Sequence, residues 1–131
     1  MMVLADACAL IAFHAGAASD SPTPFSAEAL RTLSEDRIHV SPITVFEITQ
    51  KVSLGKLPPL PIGALSFAAW LAQEGYEPAP LTWQETEGAN HLPWHHKDPF
   101  DRLLIATALR HDGVVVTCDP AFTAYGVRVL W

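Results

Sequence analysis

The sequence is short of cysteine, of basic residues and of long apolar runs. Its 131 residues include 2 cysteines, Cys8 and Cys118. Neither a CxxC nor a Cys/His zinc spacing exists, so no structural zinc and no disulfide scaffold is expected, and a reducing cytoplasm is the expected location. No apolar run reaches the ~18–20 residues that span a bilayer, so no membrane partner is expected. The first residues carry no basic segment ahead of the apolar stretch, which argues against a signal peptide. Repeats, low-complexity tracts and long linkers are missing, as are GxGxxG, a P-loop, GxSxG and HExxH. Lys and Arg number 8 against 14 acids, a formal charge of −6. That excludes the simplest nucleic-acid reader, a basic domain that grips phosphates through its net field. It leaves open a chain that gathers its acids around a metal.

What is present suits one domain over residues 1–131, long enough to bury roughly two-thirds of its unfolded surface. Half the residues are hydrophobic and 17% are charged, a balance that disorder does not show. Met2–Ala5 reads as a buried strand, followed by an apolar helix over Ala7–Phe13 that breaks at Gly16. Ser19–Pro24 is a polar loop, and Ser26–Leu33 an amphipathic helix. Ile38–Val40 reads as a strand. Ser41-Pro42 starts a helix to Ser53 that stops at Gly55. Leu57–Pro61 is a proline-rich connector, Gly63–Glu74 a helix and Glu77–Leu81 an edge strand. Thr82–Asn90 is a helix capped by Thr82. The clearest helix begins at Asp98-Pro99 and ends near Gly113. Val114–Cys118 is a strand, Asp119-Pro120 opens a helical turn, and Val127–Leu130 is the last strand. Strands alternating with helices predict an α/β fold: a mainly parallel central sheet with helices on both faces.

Acids stand where such a fold would use them. Asp6 ends the first strand and Asp119 ends the Val114 strand, and ligands gather beyond the carboxyl ends of parallel strands. Glu47 lies among Val45, Phe46 and Ile48. Asp98 and Asp101 are three apart at a helix start and share a face. One pocket could therefore collect Asp6, Glu47, Asp98 or Asp101, and Asp119. Each also has a plainer role: Asp98 and Asp119 precede proline as N-caps do, Asp101 favours the helix dipole, and Glu47 can pair with Lys51. Several carboxylates in one pocket repel, and a divalent cation removes that penalty. Oxygen ligands suit Mg²⁺ or Mn²⁺. His95-His96 beside Lys97 could meet phosphate or assist the site, but such a polar run before a helix reads mainly as a solvated loop. Cys8 and Cys118 read as small core residues, and the four tryptophans as core or interface anchors.

These residues resemble the PIN domain, in particular VapC-type ribonuclease toxins of type II toxin–antitoxin systems. The resemblance runs through Val3-Leu4-Ala5-Asp6 and Cys8-Ala9-Leu10-Ile11, then Ser41-Pro42-Ile43-Thr44 and the helix of Glu47. It continues through His96-Lys97-Asp98-Pro99-Phe100-Asp101-Arg102-Leu103-Leu104-Ile105-Ala106, and ends in Thr117-Cys118-Asp119 and the Tyr125–Trp131 strand. It implies a three-layer PIN-like fold and Mg²⁺- or Mn²⁺-dependent hydrolysis of RNA. The family's acids fall on Asp6, Glu47, Asp101 and Asp119, selecting Asp101 for the site and leaving Asp98 as the cap. Asp6 and Asp101 would be the principal ligands, with Glu47 and Asp119 completing the shell or activating water. Thr117 matches a supporting hydroxyl, whereas Ala7 departs from the Thr or Ser many members carry. The resemblance further implies a VapB-like antitoxin partner, a homodimer, and a heterotetramer or larger assembly with the antitoxin. Rival readings are a phosphoesterase or DNA nuclease using the same acids, and a non-catalytic partner-binding protein on the same fold. RNA binding is expected to be weak and salt-sensitive, with Lys97, Arg102 and the nearby histidines as local positive charge.

Overall fold

Two of the strands are buried from end to end. β1 (Val3–Ala5) and β4 (Val114–Val116) carry no polar side chain on either face, as strands covered on both sides require. In the computed structural model, which describes residues 1–16 and 22–131, they pair in parallel with Leu4 opposite Val115. β2 (Ile38–Val40) adds to the other side of β1, β3 (Glu77–Pro78) flanks β2, and β5 (Arg128–Leu130) flanks β4. The order is β3-β2-β1-β4-β5 and every pairing is parallel. The edge position of β3 follows from its proline, which cannot donate to a further neighbour.

Side-chain alternation along the strands builds two cores. Val3, Ala5 and Val116 face one side with Leu10, Leu33, Ile48 and Leu71, contributed by α1 (Ala7–Gly16), α2 (Ala27–Glu35), α3 (Pro42–Ser53) and α4 (Phe67–Gln73). Leu4 and Val115 face the other, against Leu104, Ile105 and Ala108 of α6 (Pro99–Arg110) and Phe122 of a 3₁₀ turn, Pro120–Tyr125. This is the three-layer α/β architecture expected, with α5 (Trp83–Ala89) packed outside α6. No helix among the described residues is long and apolar enough to cross a membrane.

Most expected elements form, with ends shifted by a few residues. α3 has Ser41 as N-cap, its hydroxyl accepting from Ile43 N at 3.2 Å, and Gly55 beyond its end adopts φ +70°. α4 starts at Phe67 rather than Gly63: Gly63 has φ +64°, outside the helical region, and the Ser66 hydroxyl caps Ala69 N. α6 ends at Arg110, because Asp112 turns left-handed at φ 50° before Gly113. Of the expected loop Ser19–Pro24, residues 19–21 lie outside the described residues. The tryptophans divide: Trp70 and Trp131 pack on the first core, while Trp83 and Trp94 are exposed. The cysteines are not core residues, since Cys8 is half-buried and Cys118 exposed.

α5 is fixed to α6 by a buried carboxylate. Glu85 is 1% exposed. It accepts from Thr82 N at 2.8 Å and from the Thr82 hydroxyl, closing a capping box, and from His111 Nε2 at 2.8 Å. Arg110 Nε lies 3.2 Å away. Burial alone would raise this carboxyl, but the hydrogen bonds from Thr82 and His111 outweigh it and pull it down to about 2. A depressed folded-state pKa stabilises the fold above the unfolded value of 4.5 and is lost as pH falls toward 2. Glu85→Gln should therefore cost about 1–2 kcal/mol at pH 7 in urea unfolding. That deficit should shrink between pH 4.5 and 2.

Candidate metal centre

The sheet order reverses at β1, with β2 on one side and β4 on the other. The crevice beyond the carboxyl ends of β1 and β4 is where such a reversal leaves room for a ligand. Asp6 follows β1 and continues its ladder, its N donating to Val116 O at 3.2 Å. The side chain caps α1: Oδ1 accepts from Ala9 N at 2.9 Å. Asp6 is 7% exposed. Burial raises its carboxyl above the ordinary value, the Thr117 hydroxyl and Ala9 N–H pull it back, and the charges of Glu47 and Asp119 push it up again.

Thr117 joins the two strand ends. Its buried hydroxyl accepts from Asp119 N at 3.0 Å and acts to lower the Asp6 carboxyl. Asp119 caps the 3₁₀ turn, Oδ1 accepting from Ala121 N at 2.9 Å, and its Oδ2 lies toward His96 Nε2 at 3.5 Å. Glu47 sits on α3 with its side chain 15% exposed, and Lys51 reaches it at 3.2 Å. The surface pair and the placement near Asp6 thus coexist.

α6 supplies the remaining acids. Asp98 is its N-cap, Oδ1 accepting from Phe100 N at 2.8 Å. Asp101, in the first turn, accepts from His96 Nε2 at 2.8 Å. Burial, then the Asp98 charge, push the Asp101 carboxyl up to about 6; the His96 contact acts the other way, and Asp119 adds a smaller push upward.

The tightest grouping is therefore not the one expected. His96, Asp101 and Asp119 each offer a ligand atom, all within 4.8 Å of one another, and no other such group occurs among the described residues. Asp6 stands behind it, within reach of the charges of both Asp119 and Glu47. The donors are carboxylate oxygens plus one imidazole nitrogen, a set that fits a divalent cation better than a soft one. The raised Asp6 and Asp101 carboxyls are the repulsion such an ion would relieve.

The structure favours the lesser of the two readings of His96, a residue that assists the site, over a solvated loop. Arg102 is not available to substrate as the sequence suggests. Arg102 is 2% exposed. Its Nη1 donates to Pro93 O, His96 O and Tyr125 OH, and its Nη2 to Ala89 O and Leu92 O, at 2.6–3.2 Å. The guanidinium carbon lies 3.7 Å from the centre of the Trp94 ring. His96 N donates to Tyr125 OH at 2.8 Å. The segment before α6 is thus folded back on the helix, which brings His96 to Asp101. The spacing His96-x-Asp98-Pro99-x-Asp101 was the available signal, but it acquires meaning only once Arg102 turns inward.

Two outcomes follow from these contacts. Lysine cannot reproduce the guanidinium fork, so Arg102→Lys should lose about 3 kcal/mol in urea unfolding through stranded carbonyls. Asp101 behaves oppositely. A folded pKa near 6 against 3.8 means that ionisation costs stability as pH rises through that window. Asp101→Asn should raise stability by about 1 kcal/mol at pH 7.5, allowing for solvent at the pocket mouth, with little gain near pH 4 by thermal unfolding.

Comparison with known proteins agrees with this fold. Three solved structures share the fold. FitAcB from Neisseria gonorrhoeae is 19% identical at TM-score 0.60, covering 99% of this chain and 97% of that one. FitAB bound to an IR36 DNA fragment gives 23% identity and TM-score 0.56 over 98% and 94% of the two chains. VapBC-1 from nontypeable Haemophilus influenzae gives 13% and 0.55 over 98% and 96%. No curated protein matches the sequence. The PIN domain profile matches residues 3–127, nearly the whole chain and every acid of the pocket, so the chain belongs to the PIN domain family.

Proposed function

We propose that this chain is the toxin of a cytoplasmic type II toxin–antitoxin pair, a single-domain endoribonuclease that hydrolyses RNA phosphodiester bonds with Mg²⁺ or Mn²⁺. The observation that supports the proposal is the convergence of Asp101 and Asp119 with His96 in a PIN-family chain, with Asp6 feeling the charges of Asp119 and Glu47. Asp101 and Asp119, whose carboxylate oxygens lie within 4.8 Å of each other, would hold the ion together with Asp6. Such an ion polarises a phosphate oxygen and makes water a better nucleophile. Glu47, part-buried and near Asp6, orients the attacking water and takes its proton. Thr117 keeps Asp6 and Asp119 in register. With Arg102 buried, the exposed Lys97 is the local side chain left to meet phosphate.

The toxin reading draws support from surfaces away from the acids. An apolar groove of about 210 Å³ runs between α1, α3 and the proline-rich connector, lined by residues including Leu10, Ile48, Leu57, Ile62 and Trp70. Phe46 on α3 and Leu54 just past its end stand exposed. A small antitoxin with an apolar segment suits such a surface, and a second copy of the chain could bury the rest.

The test is cleavage of RNA by purified protein with Mg²⁺ or Mn²⁺ added or chelated, beside single-stranded DNA and small phosphate esters. Asp6→Asn and Asp101→Asn should each lower RNA cleavage by about 100-fold or more while remaining folded. Asp98→Asn should stay active, because asparagine caps a helix nearly as well as aspartate. Full activity in both of the first two variants would sink the assignment, and cleavage confined to DNA or small esters would replace its substrate.

A further inference from the structure

We infer that His96 is a nitrogen ligand of this centre and that it sets the centre's ion preference, favouring Mn²⁺ over Mg²⁺. This rests on the metal-dependent reading above and goes further by naming the ion and the residue that selects it. The argument begins with delivery. The carbonyl of His96 is held by Arg102 Nη1 at 3.0 Å, and its backbone N–H by Tyr125 OH at 2.8 Å. Tyr125 is itself fixed, donating to Pro93 O at 2.9 Å. Both ends of the peptide unit are thus clamped, and the imidazole leaves this clamp toward the acids. Nε2 lies 2.8 Å from Asp101 Oδ2 and 3.5 Å from Asp119 Oδ2. A residue that merely rode on a solvated loop would not be fixed from two sides and aimed between two carboxylates.

The ring is free to change roles. Without an ion, Nε2 carries the proton and donates to Asp101. On the other side, the nearest donor to Nδ1 is the Asp98 backbone N–H at 3.4 Å, longer than a well-formed hydrogen bond. Only the Asp101 contact therefore holds the proton on Nε2, and an ion that takes up that carboxylate frees the proton to pass through water to Nδ1 as Nε2 turns its lone pair to the ion. The chemistry of the ligand then decides the metal. Mg²⁺ prefers an all-oxygen shell and keeps its waters, whereas imidazole nitrogen suits the first-row transition ions. Lys97 and His95, the neighbouring side chains in this loop, do not belong to the group of atoms that could close on an ion.

The experiment measures ion binding directly, by calorimetry and by pulsed electron paramagnetic resonance of bound Mn²⁺, without reference to RNA cleavage. Wild-type protein should bind Mn²⁺ at least tenfold more tightly than Mg²⁺ and show ¹⁴N coupling from a directly bound imidazole. His96→Gln should lose the coupling and weaken Mn²⁺ binding by about tenfold or more, with Mg²⁺ binding changed little. Circular dichroism and thermal unfolding check that the variant is folded. Mn²⁺ bound without ¹⁴N coupling, or tighter binding in His96→Gln, would overturn the ligand role and mark the imidazole as a counter-charge the ion displaces. In that outcome Asp101→Asn would still abolish binding, and the metal-centre reading would survive. If wild-type protein bound neither ion, both readings would fall together.

Discussion

The organisation of the pocket depends on one buried cation. Arg102 carries a full positive charge into the protein with no carboxylate bonded to it, only four backbone carbonyls and a phenol. Carbonyl dipoles can satisfy a guanidinium when several converge, and the Trp94 ring closes over it. The result is that residues 89–96, which form no long element of their own, are gathered onto α6. The same helix thereby presents Asp101 outward and anchors, through Arg102, the loop that carries His96. A helix one residue out of register would lose both, since neighbours in a helix point about 100° apart.

Against this clasp stands a deliberate instability. Asp6 and Asp101 are both held above the ordinary carboxylate value by burial and by neighbouring acids, and their hydrogen bonds offset this only in part. Structural carboxylates in the same protein behave otherwise: Glu85, more buried than either, is drawn down to about 2 because Thr82 and His111 satisfy it. The contrast separates an acid used for holding helices together from acids kept short of partners. Stability lost at a pocket of this kind is the usual companion of function.

Much of this was legible in the sequence, for identifiable reasons. Asp6 and Asp119 could be placed because unbroken apolar strands fix where a sheet ends, and a ligand crevice lies there in any parallel fold. Ser41-Pro42, Asp98-Pro99 and Asp119-Pro120 marked three helix starts because proline and a short polar side chain act locally. The start of α4 at Phe67 was missed because the apolar pattern continues through Gly63, whose left-handed backbone no pattern reveals. Arg102 and His96 were misjudged for the same deeper reason. Charge and polarity predict exposure on average, and only the tertiary arrangement tells when four carbonyls have converged to take an arginine inside.

The pairing of β1 with β4 has a consequence in time. Val3 lies beside Val114, so the sheet's centre joins segments far apart along the chain. Asp6 leaves the ribosome well before Thr117 and Asp119, which follow only after α6 and β4. Until then these side chains are scattered along an unfinished chain, and no assembled pocket exists. Contact order, a property normally discussed for folding speed, here also sets when the acids can meet.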